Sequence, residues 1–288
     1  MTASTVSPDI SSLRWGPWPR RPRPIIGTMA TPLSRPISLA RWWRSGWHTV
    51  HLGALVLALA LSPSSYGRRR WPVIARHLVR ACVPLVLWFS VVSALLSVVI
   101  IRIVLVTAQS YGLSQYALGM VVRVLVLELI PLIVAMAVAV RVTLPAAAEL
   151  AVLRQSGALE ALRADGGDAL RDEVLPRALA GMFAVVLLAA LSGVLCLVLA
   201  YLLAYGFTPW GVERYTRLVG SVFAPAVTLI FAMKTLAFAV AVSLIPIGSA
   251  LHDSPPGTAP ASVELQGLVR MFLAVLAIEI VSLVGNYY

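Results

Sequence analysis

Five stretches of the chain carry apolar side chains almost without interruption: approximately Ala81 to Thr107, Gln115 to Val140, Ala178 to Tyr205, Val222 to Ile247 and Leu268 to Tyr288. Each reaches the roughly 20 apolar residues needed to cross a hydrocarbon core about 30 Å thick. Lipid offers backbone groups no hydrogen-bond partner, so each stretch predicts a helix that satisfies its own N–H and C=O groups. The pattern therefore predicts an all-α membrane protein with five transmembrane helices.

A shorter apolar run, Leu52 to Leu61, precedes these and is too short to span. It is led in by Arg41, Trp42, Trp43, Arg44, Trp47 and His48. Tryptophan and arginine ahead of about ten apolar residues predict a helix lying in the headgroup region. A cleaved signal peptide is the rival reading, weakened by a basic region about 50 residues long. Residues 1–35 mix Trp15, Pro17, Trp18, Arg20, Arg21, Pro22, Arg23 and Pro24 without helical period, the composition of a disordered arm. The pair Arg20–Arg21 lacks the nearby apolar stretch of a twin-arginine signal, and Met29 is an alternative start. The expected organisation is an arm at 1–35, an interfacial region at 36–80 and a five-helix domain at 81–288.

Composition narrows the class. Hydrophobic residues make up 59% and charged ones 12%, against roughly 25% charged in soluble domains, which excludes an ordinary soluble enzyme. The first 80 residues hold 12 arginines and one acid, Asp9, whereas the other 208 balance 11 bases with 11 acids. A uniformly basic nucleic-acid binder is excluded by that asymmetry. The basic arm belongs at an anionic cytoplasmic membrane face. Five spans then place the C-terminus outside, with loops Ser110 to Ser114 and Phe207 to Ser221 also outside. Arg141 to Arg177 and Gly248 to Gly267 fall inside. Cys82 and Cys196 sit at or within apolar runs and read as small hydrophobes. His48 and His51 have no acid or cysteine nearby in sequence, and no metal site is assigned to them.

The connection Arg141 to Arg177 mixes helix formers with Gly166 and Gly167, predicting two short helices joined at that glycine pair. Leu150, Leu153, Leu159 and Leu162 supply its apolar side. It is either a surface packed on its own membrane domain or a docking surface for a soluble partner.

This connection also carries a resemblance. The stretch ELAVLRQSGALEALRADGGDALRDEVLPRALA is similar to the signature of the MlaE permease family, membrane subunits of ABC transporters that work with MCE proteins in bacterial lipid trafficking. Matching residues are Ala148, Glu149 and Leu150, then Ala161, Leu162 and Arg163, then Gly166, Asp168, Arg171, Pro176 and Arg177. The family's paired glutamates fall on Gly157 and Ala158, and the proline after its aspartate on Ala169. Upstream, LELIP at Leu127 to Pro131 resembles the family's RELGP, keeping Glu128 and Pro131. Downstream, MKTLAF at Met233 to Phe238 resembles its KSxxF element and keeps Lys234. The likeness covers about residues 37–288.

The resemblance implies a homodimeric permease of the bacterial inner membrane, N-terminus cytoplasmic and C-terminus periplasmic. It would move phospholipid or another lipid between inner and outer membranes with a cytoplasmic ABC ATPase and a periplasmic MCE-domain protein. Glu149, Leu162, Arg163, Gly166, Asp168 and Arg171 would couple to the ATPase, which would hold the ATP and Mg. No cofactor is expected in this chain, whose only lysine, Lys234, follows Met233 rather than a P-loop glycine. Glu128 and Lys234 would face a central lipid cavity, with Arg123 partly replacing the arginine that the family carries at Leu127. Arg102, Arg123, Glu128, Lys234 and Glu279 all interrupt spans. Each ion at mid-bilayer costs on the order of 2.5–3.5 kcal/mol on insertion scales, so pairing or hydration is expected. A non-transporting anchor for an ATPase–MCE assembly is the alternative, and a lipid-modifying enzyme would need acid/base or metal chemistry that no constellation here supplies.

Overall fold

The computed structural model describes residues 51–60, 62, 71–164, 168–252 and 260–287, and these form helices joined by turns, with no strand among them. A short helix, α1 (His51–Ala60), precedes the first long one, α2 (Trp71–Ser110). The second long helix, α3, runs from Tyr116 to Gln155, and a short α4 covers Ala158–Ala164. Next come α5 (Leu170–Tyr205), α6 (Val212–Val222), α7 (Pro225–His252) and α8 (Pro260–Tyr287). Five of them (α2, α3, α5, α7 and α8) are long and apolar enough to cross a membrane, at the expected places along the chain. Residues 1–35, expected as a disordered arm, lie outside the described residues. Of the expected interfacial region 36–80, only α1, Ser62 and the first turns of α2 are described, so the first long helix begins at Trp71 rather than near Ala81.

Helix α3 is central. Its most apolar stretch is 61% buried, against 22% in α2 and α8. Val134, Ala135 and Val138 of α3 pack with Ala184, Val185 and Leu188 of α5 and with Phe238, Ala239 and Val242 of α7. In lipid the apolar effect does not favour one helix neighbour over another, so close packing of small residues decides which helices meet. Gly181 of α5 shows this directly: a Cβ there would stand 2.7 Å from Ser243 Oγ and 2.8 Å from Thr143 Cγ2. Three helices converge on a position where only hydrogen fits.

α1 lies against the bundle rather than apart from it. Leu52 and Val56 join Leu150 of α3, Leu175 and Ala178 of α5, and Leu244 and Ile247 of α7 in one buried cluster. Leu55 and Leu57 face outward. That leaves one apolar face for protein and a second for lipid.

Two local features differ from the sequence expectation. Helix α3 continues through Arg141 as far as Gln155, so the first half of the connection is an extension of the span. A break comes at Gly157, whose φ of +74° lies in the left-handed region that favours glycine. The expected break at Gly166 and Gly167 lies outside the described residues. On the opposite side, Phe207 to Ser221, expected as a loop, contains α6. Its Tyr215 and Val222 are buried and Leu218 and Val219 half-buried, at helical spacing.

Candidate functional site

Helix α3 is not uniform: Val122–Leu129 and Ala139–Thr143 are π-helical. A π segment widens the turn and shifts its hydrogen bonds to i→i+5, an arrangement frequent at functional sites. The first one contains Glu128. Across from it, α7 carries Lys234, about 14 Å along the helix from Pro225 at 1.5 Å per residue. The Lys234 ammonium donates to Glu128 Oε2, and the same nitrogen lies 3.4 Å from the Leu127 carbonyl, in the same π segment.

A third helix completes the cluster. Glu279 of α8 accepts from Lys234 Nζ through Oε1 at 3.0 Å, with its Oε2 at 2.9 Å. Near the end of α8, Asn286 Nδ2 donates to Glu128 Oε1 at 3.1 Å. Lys234 is 1% exposed at its side chain, Glu128 10% and Glu279 12%. The Lys234 ammonium also stands 5.8 Å from the Phe238 ring centroid, within reach of its π face.

The charge count matters here. One ammonium lies between two carboxylates, so with all three ionised the cluster carries −1. The lysine is held on both sides, and Asn286 satisfies one further carboxylate oxygen. Isolated ions at this depth would be far more costly than this mutually bonded set.

Arg123 does not join the cluster. It is exposed on the surface of α3, with no hydrogen bond or ion pair to Glu128 or Lys234 among the described residues. Leu127 itself is buried beside Val122 and Val222. Arg102 is likewise exposed, on α2. Glu279 is legible as a second intramembrane acid, but Asn286 carries no charge to mark it in the sequence.

Of the residues expected at the ATPase, Glu149, Asp168 and Arg171 lie around the start of α5. Glu149 is largely exposed, and its Oε2 lies 3.6 Å from Arg177 Nη2. Arg177 also donates to the Glu173 carboxylate and, at 2.8 Å, to the Glu173 carbonyl. Arg171 Nε pairs with Asp168 Oδ2 at 3.2 Å. The Asp168 carbonyl accepts from the N–H groups of Arg171 and Asp172, both at 2.9 Å, starting the π-helical first turn of α5. Leu162 is half-buried on α4, which also carries Arg163, and Gly166 lies outside the described residues.

At the opposite end, Tyr201, Tyr205 and Tyr215 form a ring cluster with centroids 5.4 to 6.4 Å apart. Tyr215 donates to the Leu197 carbonyl at 2.7 Å, tying α6 to α5, and burial pushes its phenol well above the usual tyrosine range.

Comparison with known proteins places this architecture. No curated protein matches the sequence. The family model described as Permease MlaE matches residues 74–284, which include the Lys234 cluster up to Glu279 and the whole connection from Arg141 to Arg177. The chain belongs to the MlaE permease family, multi-pass membrane subunits of ABC-type lipid transporters.

Proposed function

We propose that this chain is the permease subunit of an ATP-driven transporter that moves phospholipid or a related lipid between the inner and outer membranes of a bacterium. Two copies form a homodimer around a lipid cavity. A separate cytoplasmic ATPase supplies ATP and Mg chemistry, and a periplasmic MCE-domain protein receives or delivers the lipid. The N-terminus and the connection 141–177 face the cytoplasm, and α6 and the C-terminus face the periplasm.

One observation carries this reading: a bonded set of Lys234, Glu128, Glu279 and Asn286 drawn from three spans of an otherwise apolar bundle. Such a set is costly to keep in lipid and calls for a use. Because Lys234 is engaged by both carboxylates, the set serves as a polar contact for a lipid headgroup rather than as a bare cation. ATP binding and hydrolysis would shift the Glu149, Leu162, Arg163, Gly166, Asp168 and Arg171 region, and with it α3 and α5, between two packings of the cavity.

The test is lipid transfer by the reconstituted full assembly carrying Glu128→Gln. Lys234 keeps Glu279 in that variant, so the assembly is expected to form while transfer falls by about tenfold or more, roughly 1.4 kcal/mol on the barrier. Native-level transfer by both Glu128→Gln and Lys234→Met in intact assemblies would reject the role. Intact assembly with unchanged partner binding and no lipid transfer even by the native chain would favour the alternative, a non-transporting anchor.

A further inference from the structure

A second concentration of charge lies well away from Lys234. Arg80 of α2, Arg141 of α3 and Arg177 of α5 line one groove of about 280 Å³. Arg141 is about 20 Å along α3 from Glu128, so the two features are separate.

Its height in the membrane follows from the sequence. Arg80 immediately precedes the apolar run of α2, and Arg141 immediately follows that of α3. Both guanidinium groups therefore sit where hydrocarbon gives way to headgroups. The wall on the hydrocarbon side is Pro84, Leu85 and Trp88. Trp88 is half exposed, and the Arg141 guanidinium lies 4.8 Å over its ring, a cation–π arrangement at the depth where interfacial tryptophans concentrate.

The charges in the groove are unbalanced. Arg177 is engaged by Glu173 and Glu149, but its Nε is buried without a hydrogen-bond partner. Arg80 and Arg141 are exposed and form no ion pair among the described residues, while Glu149 lines the same groove against three arginines. Two uncompensated guanidinium groups and one unfilled donor beside an apolar wall suit an anion whose other end is apolar. Guanidinium groups bind phosphate in forked geometry, and basic pockets between helices at this level take lipid headgroups. The volume is just under the roughly 300–1,000 Å³ of ligand pockets. A headgroup fits while the acyl chains stay in the bilayer.

We propose that this groove is a binding site for an anionic phosphate group, presented by a phospholipid of the adjacent leaflet. Arg80 and Arg141 hold the phosphate, and Pro84, Leu85 and Trp88 pack against the first carbons of the lipid. Glu149 and Arg177 also border the groove, so a bound lipid sits against the root of the connection 141–177. Only the identity of the leaflet rests on the orientation proposed above, and the site does not depend on lipid transfer.

The experiment is native mass spectrometry of the full chain in detergent micelles, with stepwise addition of dioleoyl phosphatidylglycerol, dioleoyl phosphatidylcholine or inorganic phosphate. The expected result is one phosphatidylglycerol retained per chain with about tenfold preference over phosphatidylcholine. Arg80→Gln/Arg141→Gln should bring that preference within twofold, while Arg214→Gln/Arg217→Gln, the same charge loss at the other end, should leave it. Inorganic phosphate adducts that vanish in the Arg80→Gln/Arg141→Gln chain would identify free phosphate as a source of the ligand. In the native chain the preference should also fall as salt is raised, a readout that needs no variant. An unchanged preference in the Arg80→Gln/Arg141→Gln chain, or a salt-independent one in the native chain, overturns the proposal.

Discussion

Glu149 and Arg177, at the two ends of the α3–α5 connection, stand 3.6 Å apart, and Arg177 is further bonded to Glu173 on its own helix. The contact joins α3 to α5 across the root of the connection. The two sides of this contact are unequal: the Arg177 side chain is 10% exposed and that of Glu149 67%. Glu149→Gln is expected to cost under about 1 kcal/mol, as exposed pairs do. Arg177→Gln should cost about 1.5–3 kcal/mol by leaving a charged hydrogen-bond group without its partner. Thermal unfolding of the two variants in detergent compares them, and equal losses would contradict the asymmetry.

Gly181 offers a packing test. A methyl group there would collide with Ser243 Oγ and Thr143 Cγ2, and overpacking of this kind costs about 1–3 kcal/mol. Gly181→Ala should lower the unfolding midpoint, and adding Ser243→Gly should restore part of it. Gly119→Ala, where a Cβ meets nothing within 4 Å, should be silent or slightly stabilising.

Tyr215 gives a pH dependence with a definite sign. Its phenol is raised above the ordinary value of 10 by burial first, with Cys196 and Tyr205 adding to the shift. The folded state thus favours the protonated phenol that donates to the Leu197 carbonyl. This contribution is complete below about pH 10 and is lost as pH rises through the raised folded value. Tyr215→Phe is expected to be less stable at neutral pH and to show a shallower loss between about pH 10 and 12. Melting curves across that range measure it, and identical slopes for the two proteins would refute it.

Topology is open to a direct measurement. Twelve arginines ahead of Val83 and five spans lead us to expect the N-terminus in the cytoplasm and Tyr288 in the periplasm. A periplasm-active reporter fused after Tyr288 should be active and a cytoplasm-active one silent. The reverse pattern would invert every side assigned here.

The five spans were legible because the constraint that makes a transmembrane helix is local: each segment must be long, apolar and internally hydrogen-bonded. The family signature from Glu149 to Arg177 and the opposite charges at Glu128 and Lys234 were legible for a related reason, since each departs from its surroundings in the linear chain. α6 is also present as an apolar spacing at Val212, Tyr215, Val219 and Val222, but the interleaved charges Glu213, Arg214 and Arg217 give it the look of a loop.

Tertiary structure alone decided which helices lie side by side and which faces they turn to one another, because lateral order and rotation come from side-chain packing that hydropathy does not encode. That is why Glu279 and the uncharged Asn286 enter the Lys234 cluster while Arg123, only five residues from Glu128, stays on the surface. It is also why α1, apolar on more than one side, lies against Leu150, Leu175 and Leu244. The chain turns at Gly157 because α3 packs on α7 as far as its last turns, and Gly157 supplies the left-handed φ where that packing ends.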